Sequence, residues 1–447
     1  MDPVRIASDL FTSSSRSFAV RLWDGTVLPP PRDAGLRGAV VLRTPRVLEA
    51  FFPPAAEHRL ADAFVEGALD LEGDAISLIE AAARWTGPRA SPSLVARALA
   101  AVVRRALRGR RAAPLEARMR GPRHSVGRDR DAVRHHYDLP DDFYRLFLDD
   151  AMVYSCAYFP RGAERLEDAQ RAKLELVCRK LSLSAGERFL DIGCGWGALV
   201  EHAAARHGAR ALGITVSATQ LAFARDRLAG RADVAVREDD YRTLRAEAPF
   251  DKVASVGMME HVGRARLDAY FAAVHRLLRP GGLFLNHAIA DVGGGRPTLP
   301  WAGQAGGGFI WRYVFPDGEL IPIAEVIAAA ERGGFEVRDL ECLREHYAET
   351  LAAWLGRLEA RFDEAVAIAG ERRARLYRLY LAASAVGFRI GRTSVYQLLL
   401  AKRTASGRAE GLPRSRAAWH AWEAAPRAPA AAAFAGGDDG REPPAAP

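Results

Sequence analysis

A chain of 447 residues with 49% hydrophobic composition is longer than one ordinary domain and has ample apolar material for a core, so two folded domains plus tails are expected. Four cysteines (Cys156, Cys178, Cys194 and Cys342) are too sparse for a disulfide scaffold and show no metal-binding pair spacing, which excludes a disulfide-stapled secreted module and predicts no metal. The net charge of +8 suits an anionic lipid surface or nucleic acid, and charge alone does not choose between them.

The N-terminus MDPVRIASDLFTSS has no unbroken apolar core, and no run of about 18 apolar residues occurs. A cytoplasmic protein without a spanning helix is expected. Residues 1–110 read as a small α+β domain. SFAVRLWDGTVLP places an Asp24-Gly25 turn between two alternating segments, a hairpin signal. LADAFVEGALDLEGDAISLIEAA and SLVARALAAVVRRAL read as helices by apolar spacing. A basic linker follows at 111–128. Between Arg104 and Arg134 eleven arginines face only Glu116, Asp129 and Asp131, which predicts either a solvated linker or a contact with an anionic membrane surface. A catalytic domain is expected over 129–403. Residues 404–447, rich in Ala, Pro and Gly, read as a disordered tail.

Within the catalytic domain the pattern alternates: ERFLDIG, ARALGITVS, DVAVRED, FDKVASVGM and GLFLNHAIA read as strands. ALVEHAAARHG, ATQLAFARDRLAG and LDAYFAAVHRLLRPGG read as helices. Such alternation predicts an α/β fold with a doubly wound, mostly parallel, Rossmann-like sheet, whose ligands bind at the carboxyl ends of the strands. The loop Asp191-Ile-Gly193-Cys-Gly195-Trp-Gly197-Ala198 joins the first strand to the first helix, and its glycines allow a tight turn and close approach to a ligand. A dinucleotide site calls for an acid at the end of the second strand, which here closes Gly213-Ile-Thr215-Val-Ser217 without one. The acid stands instead at Asp191, the methyltransferase arrangement. S-adenosylmethionine is therefore the favoured cofactor, with NAD or FAD, or a structural turn, as alternatives.

HHYDLPDDFYRLFLDDAMVYSCAYF, LEDAQRAKLELVCRKL, FLDIGCGWGALVEHAA, LGITVSATQ, DDYRTL, VGMMEHVG and FIWRYVFPDGEL, in unbroken order over about 129–402, resemble the cyclopropane-fatty-acyl-phospholipid synthases and mycolic acid cyclopropane synthases. The resemblance implies a class I S-adenosylmethionine-dependent methyltransferase acting on the double bond of an unsaturated acyl chain in membrane phospholipid. It implies cofactor contacts from Tyr154, Ser155, the loop Leu190, Asp191, Gly193, Gly195 and Gly197, from Thr215 and Gln220, and from Glu238 and Asp239 on the adenine side. It also implies a bound bicarbonate as base, held by Glu260, His287, Tyr347 and the backbone of Cys156. His261 reads as structural.

An alkene is a poor nucleophile, so the methyl must sit about 3–3.5 Å from the double bond, and the resulting cation must be kept from water. Tyr137, Phe143, Tyr144, Phe147, Tyr154, Tyr158, Phe159, Trp311 and Tyr313 suit an aromatic tunnel for such a chain. The family cysteine in the helix matching LYLAASAVGFRIGRTSVYQ is replaced here by Ser384, whose hydroxyl can still bond to bicarbonate. That replacement leaves open a methyl-branched or methylene product in place of a ring. A lipid-binding protein without catalysis is a further alternative, disfavoured by the intact Glu260, His287 and Tyr347. No RNA-binding module is present, so nucleic acid is not an expected partner. Peripheral attachment to an anionic membrane is expected, and a homodimer is left open.

Overall fold

The computed structural model describes residues 3–12, 16–30, 38–51, 56–85, 115–116, 119–137, 139–162, 164–292, 308–407 and 412–421. It separates into two units, residues 1–412 and 413–447. In the second, Ala417–His420 forms one helical turn with Trp419 buried, so the tail expected to be disordered carries at least this ordered element.

The first unit opens with helix α1 (Pro3–Thr12) and a sheet of order β2-β1-β3-β4, made of β1 (Ala19–Arg21), β2 (Val27–Leu28), β3 (Gly38–Leu42) and β4 (Leu69–Gly73). The Asp24-Gly25 turn joins β1 to β2 as an antiparallel hairpin, as the sequence predicts. LADAFVEGALDLEGDAISLIEAA, expected to be helical, instead folds as α2 (Ala56–Val65), β4 and α3 (Ala75–Arg84). Alternation in Leu69-Asp70-Leu71-Glu72 is masked by the flanking helical spacing, and pairing with β3 decides the outcome. The SLVARALAAVVRRAL helix falls outside the described residues.

The catalytic domain follows with α4 (Val126–Tyr137), α5 (Asp141–Arg145) and α6 (Leu166–Lys180). It then alternates through β5 (Arg188–Ile192), α7 (Ala198–His207), β6 (Arg210–Thr215), α8 (Ala218–Arg227), β7 (Val234–Glu238), β8 (Phe250–Val256), α9 (Leu267–Leu277) and β9 (Leu278–Asp291). It closes with α10 (Phe309–Tyr313), α11 (Ile323–Arg332), β10 (Phe335–Cys342), α12 (Arg344–Ala360), α13 (Phe362–Ala369), α14 (Glu371–Arg389) and β11 (Thr393–Lys402). The seven strands lie in the order β10-β11-β9-β8-β5-β6-β7. All neighbours from β9 to β7 pair in parallel, and β11 runs antiparallel to both its neighbours. Leu283, Phe284 and Leu285 of β9 are fully buried, as expected for a central strand covered on both faces. From β5 the chain winds outward to β6 and β7, then crosses back to β8 and β9. The carboxyl end of β5 is therefore the switch point where loops diverge and leave a crevice.

Helix α14 anchors the N-terminal sheet. The buried Arg375 donates from Nε to the Phe64 carbonyl at 2.6 Å, from Nη2 to the Leu69 carbonyl at 2.8 Å and from Nη1 to Asp70 Oδ2 at 3.2 Å. Arg378 reaches Asp70 Oδ1 at 3.3 Å, and the Arg375 guanidinium lies 4.6 Å from the Phe64 ring centre. The arginine-rich run is partly spent in the same way: Arg128 forms a two-point ion pair with Asp317, and Arg123 joins it. Those two arginines are held by the fold; Arg104, Arg105, Arg108, Arg110 and Arg111 lie outside the described residues.

Burial raises the Asp70 carboxyl, but hydrogen bonds and charge from Arg375, then Arg43, outweigh it and hold the pKa below the usual range. A lowered native pKa stabilises above the unfolded value, near 3.9, and the contribution fades as pH falls through the native one. Replacing Arg375→Met removes one partner of a buried pair and is expected to cost about 3 kcal/mol at neutral pH in urea unfolding, with the deficit shrinking in acid.

Candidate active site

The crevice beyond β5 holds a cavity lined by the glycine loop, the Met152–Ser155 segment, Lys173, Thr215, Gln220, the Asp239–Arg242 segment and Met258. Its floor is the turn at Gly193, which has φ +82° and whose amide donates to the Ile214 carbonyl at 2.9 Å. A Cβ at Gly193 would come within 3.2 Å of the Met258 side chain and strain a left-handed backbone.

The predicted cofactor residues divide. Tyr154, Ser155, Asp191, Gly193, Gly195, Thr215, Gln220 and Asp239 line the cavity. Leu190, Gly197 and Glu238 do not. Leu190 is fully buried inside β5 and serves the core. Gly197 (φ +88°) precedes α7, and a Cβ there would press on Ala224 of α8 and on Leu228 just after it, so its requirement is helix packing. Glu238 is exposed at the end of β7. Asp240, buried and lining the cavity, was not anticipated; Arg242 clamps it through Oδ1 at 2.9 Å and Oδ2 at 2.6 Å and also donates to Asp129 at 2.8 Å.

Thr215 Oγ1 donates to Gln220 Oε1 at 3.2 Å, fixing the side chain that faces the loop. Lys173, also unanticipated, is buried in α6 and donates from Nζ to Ser155 Oγ at 2.8 Å. Burial lowers its pKa to about 8. The signal was present in Gln170 and Lys173, polar residues on the same face as Leu166, Ala169 and Leu174; Gln170 Nε2 in turn holds the Ser155 carbonyl at 2.9 Å. Asp191 is buried, its Oδ1 has no protein partner, and burial raises its pKa to about 7 against the pull of Lys173. His261, read as structural, lines this cavity as well; burial lowers its pKa to about 4, so it is neutral there. An unpartnered carboxylate oxygen beside a cradle of glycines and acids fits a cationic sulfonium donor.

A second group lies just past β8, at Glu260, and within β9, at His287, which pairs with Val256, the last residue of β8. Gly257 donates its amide to the His287 carbonyl at 2.8 Å, and Glu260 Oε1 accepts from the Ile289 amide at 2.7 Å. Glu260 Oε2 and His287 Nε2 are buried without protein partners. Burial raises Glu260 to about 7 and lowers His287 to about 3. With Gln397 Nε2 donating to His287 Nδ1 across 3.2 Å, the neutral ring carries its proton on Nε2, ready to donate.

Helix α14 carries Tyr380, Ser384 and Phe388 at helical spacing. The ring of Tyr347 packs 4.6 Å from Phe388, and Tyr380, unanticipated, feels the charge of Glu260 and bonds toward Tyr154. Ser384 is half-buried on this face. The Cys156 thiol points at the Ala157 and Leu343 carbonyls, 3.2 and 3.7 Å away, and burial pushes its pKa up, which leaves it no nucleophilic role. Of the expected tunnel, Phe143, Tyr144 and Phe147 are wholly buried and pack with Tyr154, Tyr377 and Trp354 as core. Tyr158 and Phe159 lie against His346, and Tyr313 is bonded to Asp62. Trp311 packs over Gly318, and the Tyr137 side chain lies outside the described residues.

A family profile described as mycolic acid cyclopropane synthetase matches residues 124–398. The chain belongs to this family. It is a methyltransferase of the S-adenosylmethionine-dependent class. A "Probable fatty acid methyltransferase" of Pseudomonas putida is 38% identical over 402 residues, 87% of this chain and 92% of its own length. The cyclopropane-fatty-acyl-phospholipid synthase of Escherichia coli (strain K12) is 38% identical over 274 residues, 61% of this chain and 68% of its own. Among solved structures, the cyclopropane synthase MmaA2 of Mycobacterium tuberculosis matches with a TM-score of 0.57 at 35% identity, covering 61% of this chain and 98% of that one. The mycolic acid cyclopropane synthase CmaA1, complexed with SAH and CTAB, matches with a TM-score of 0.56, also at 35% identity and with coverages of 61% and 98%.

Replacing Asp191→Asn removes the charge-assisted acceptor and is expected to weaken S-adenosylmethionine binding about 10- to 100-fold in calorimetric titration. In the unaltered protein, affinity should fall as pH drops below about 7, where the carboxyl takes up its proton. The Asn variant should lack that pH dependence.

Proposed function

We propose that this enzyme transfers a one-carbon unit to the double bond of an unsaturated phospholipid acyl chain and closes it to a cyclopropane, with bicarbonate as base. The observation that carries this reading is the pair of buried, unpartnered atoms, Glu260 Oε2 and His287 Nε2, beside the cofactor cavity. S-adenosylmethionine, when bound, supplies an electrophilic methyl group on a sulfonium. The chain's own residues do the rest. Ionised Glu260 accepts the bicarbonate hydroxyl in a hydrogen bond, and His287 Nε2 donates to its remaining oxygens. The Cys156 backbone and Tyr347 complete the cradle. Tyr154 and Tyr380, flanking it, shield a substrate cation from water. One proton passes from the transferred carbon to bicarbonate as the ring closes.

A second reading, a methyl-branched or methylene product, is favoured by Ser384 in place of the family cysteine and by the name of the Pseudomonas relative. Methyl-deuterated methionine fed to a host rich in monounsaturated phospholipid separates the two. A lipid gaining one CH2 unit with two deuteriums and resisting hydrogenation is expected. Three retained deuteriums would establish methyl branching, and an absence of label in lipid would overturn the acceptor.

Glu260→Gln should lower turnover by roughly 10²- to 10⁴-fold while leaving S-adenosylmethionine affinity near that of the parent. Activity of the parent should rise with pH through about 7, as Glu260 ionises. The remaining arginines between Arg104 and Arg134 form the proposed contact with anionic lipid, so vesicle binding should weaken with salt and on their replacement by glutamine.

A further inference from the structure

Past the residues that line the cavity, helices α6 and α7 bring together a cluster that the reaction above does not use. The sulfur of Cys178 and ring nitrogens of His202 and His207 all lie within 4.8 Å of one another. Glu175, one turn before Cys178 on the same face of α6, places Oε2 at 2.9 Å from His202 Nε2 and 3.2 Å from His207 Nε2. Its other oxygen is held by Arg179 Nε at 2.7 Å, which leaves Oε2 to the two histidines.

We propose that Cys178, His202, His207 and Glu175 form a site for one divalent cation of the zinc class. A thiolate, two neutral imidazoles and a carboxylate oxygen are four ligands of the kind zinc takes, and the thiolate disfavours magnesium and calcium. Thiolate plus carboxylate balance a 2+ ion, so the filled site is neutral, as the full burial of Cys178 demands.

Zinc bonds of about 2.0–2.3 Å set tetrahedral ligand atoms roughly 3.3–3.6 Å apart. The Cys178, His202 and His207 atoms, within 4.8 Å of one another, must close by up to about one ångström, and the two Glu175–histidine contacts open by a few tenths, as side chains turn toward the ion. His202, His207 and Glu175 keep 14%, 17% and 21% of their side chains exposed, which leaves an entry path. Cysteine spacing alone did not show the site, because only one ligand is a cysteine and the four come from two helices. The cation would staple α6, with Lys173, to α7, which starts at the glycine loop.

The test uses the full chain stripped with chelator. Equilibrium dialysis with metal analysis is expected to find one zinc per chain, and cobalt(II) should give visible bands of a tetrahedral site with a thiolate charge-transfer band in the near ultraviolet. Cys178→Ser should abolish the charge-transfer band. His202→Gln or His207→Gln should weaken zinc at least about 100-fold, beyond the usual loss from an outer-shell partner. Circular dichroism and the metal-free melting temperature of each variant identify those that fold like the parent, and only these count. Zinc should raise the melting temperature of the parent and not of these variants. Failure to bind zinc stoichiometrically, or binding indifferent to all three substitutions, would overturn the site and leave Glu175 as a plain hydrogen-bond acceptor for two histidines.

Discussion

The winding of the sheet about β5 is the constraint on which the rest of the molecule depends. Because the chain leaves β5 in one direction and returns to β8 on the other side, no crossover helix covers the end of β5, and polar backbone there faces a crevice instead of a core. The candidate site is hung on that gap: the glycine loop follows β5, Thr215 closes β6 with Gln220 just beyond, Asp239 and Asp240 follow β7, Glu260 follows β8, and His287 stands in β9 opposite the last residue of β8. A fold by itself does not fix a reaction, so the activity follows from which side chains stand there.

Burial gives these side chains their character. Loss of water raises the carboxyls of Asp191 and Glu260 to about 7 and lowers Lys173 to about 8, and in each case neighbouring charges or hydrogen bonds only partly offset it. Groups so poised change charge readily when a charged partner arrives. The unpartnered oxygens of Asp191 and Glu260 carry a desolvation cost, whereas the less deeply buried Asp70 is satisfied by three arginines and behaves as a fastener.

The five parallel strands and their helices were legible because long apolar runs alternate with helical spacing, and the glycine loop was legible because left-handed turns require glycine. Glu260 and His287 were named through resemblance, and the structure buries both, one just past β8 and the other within β9 opposite the end of β8. What escaped had a physical reason. Strand β4 is five residues between two helices and is made by pairing with β3. Lys173 and Asp240 were hidden because a charged residue in a polar-rich helix or loop looks solvated until packing shows it buried. Leu190, Gly197 and Glu238 belonged to a motif whose positions serve different ends: core, helix packing and surface. The aromatic residues before Tyr154 were read as a tunnel wall, and most of them are interior packing.

Helix α14 has two duties on one rigid rod. Its first turns hold the N-terminal sheet through Arg375 and Arg378, and the next turns bring Tyr380 near Glu260 and Phe388 against Tyr347. A helix advances about 1.5 Å and about 100° per residue. Adding or deleting a single residue between Arg378 and Tyr380 would swing the anchoring arginines a quarter-turn or more away from the sheet, or the site residues away from the crevice. The spacing is thus a ruler with both ends pinned, and chains that keep both surfaces can drift in almost every loop but not in the length of that rod.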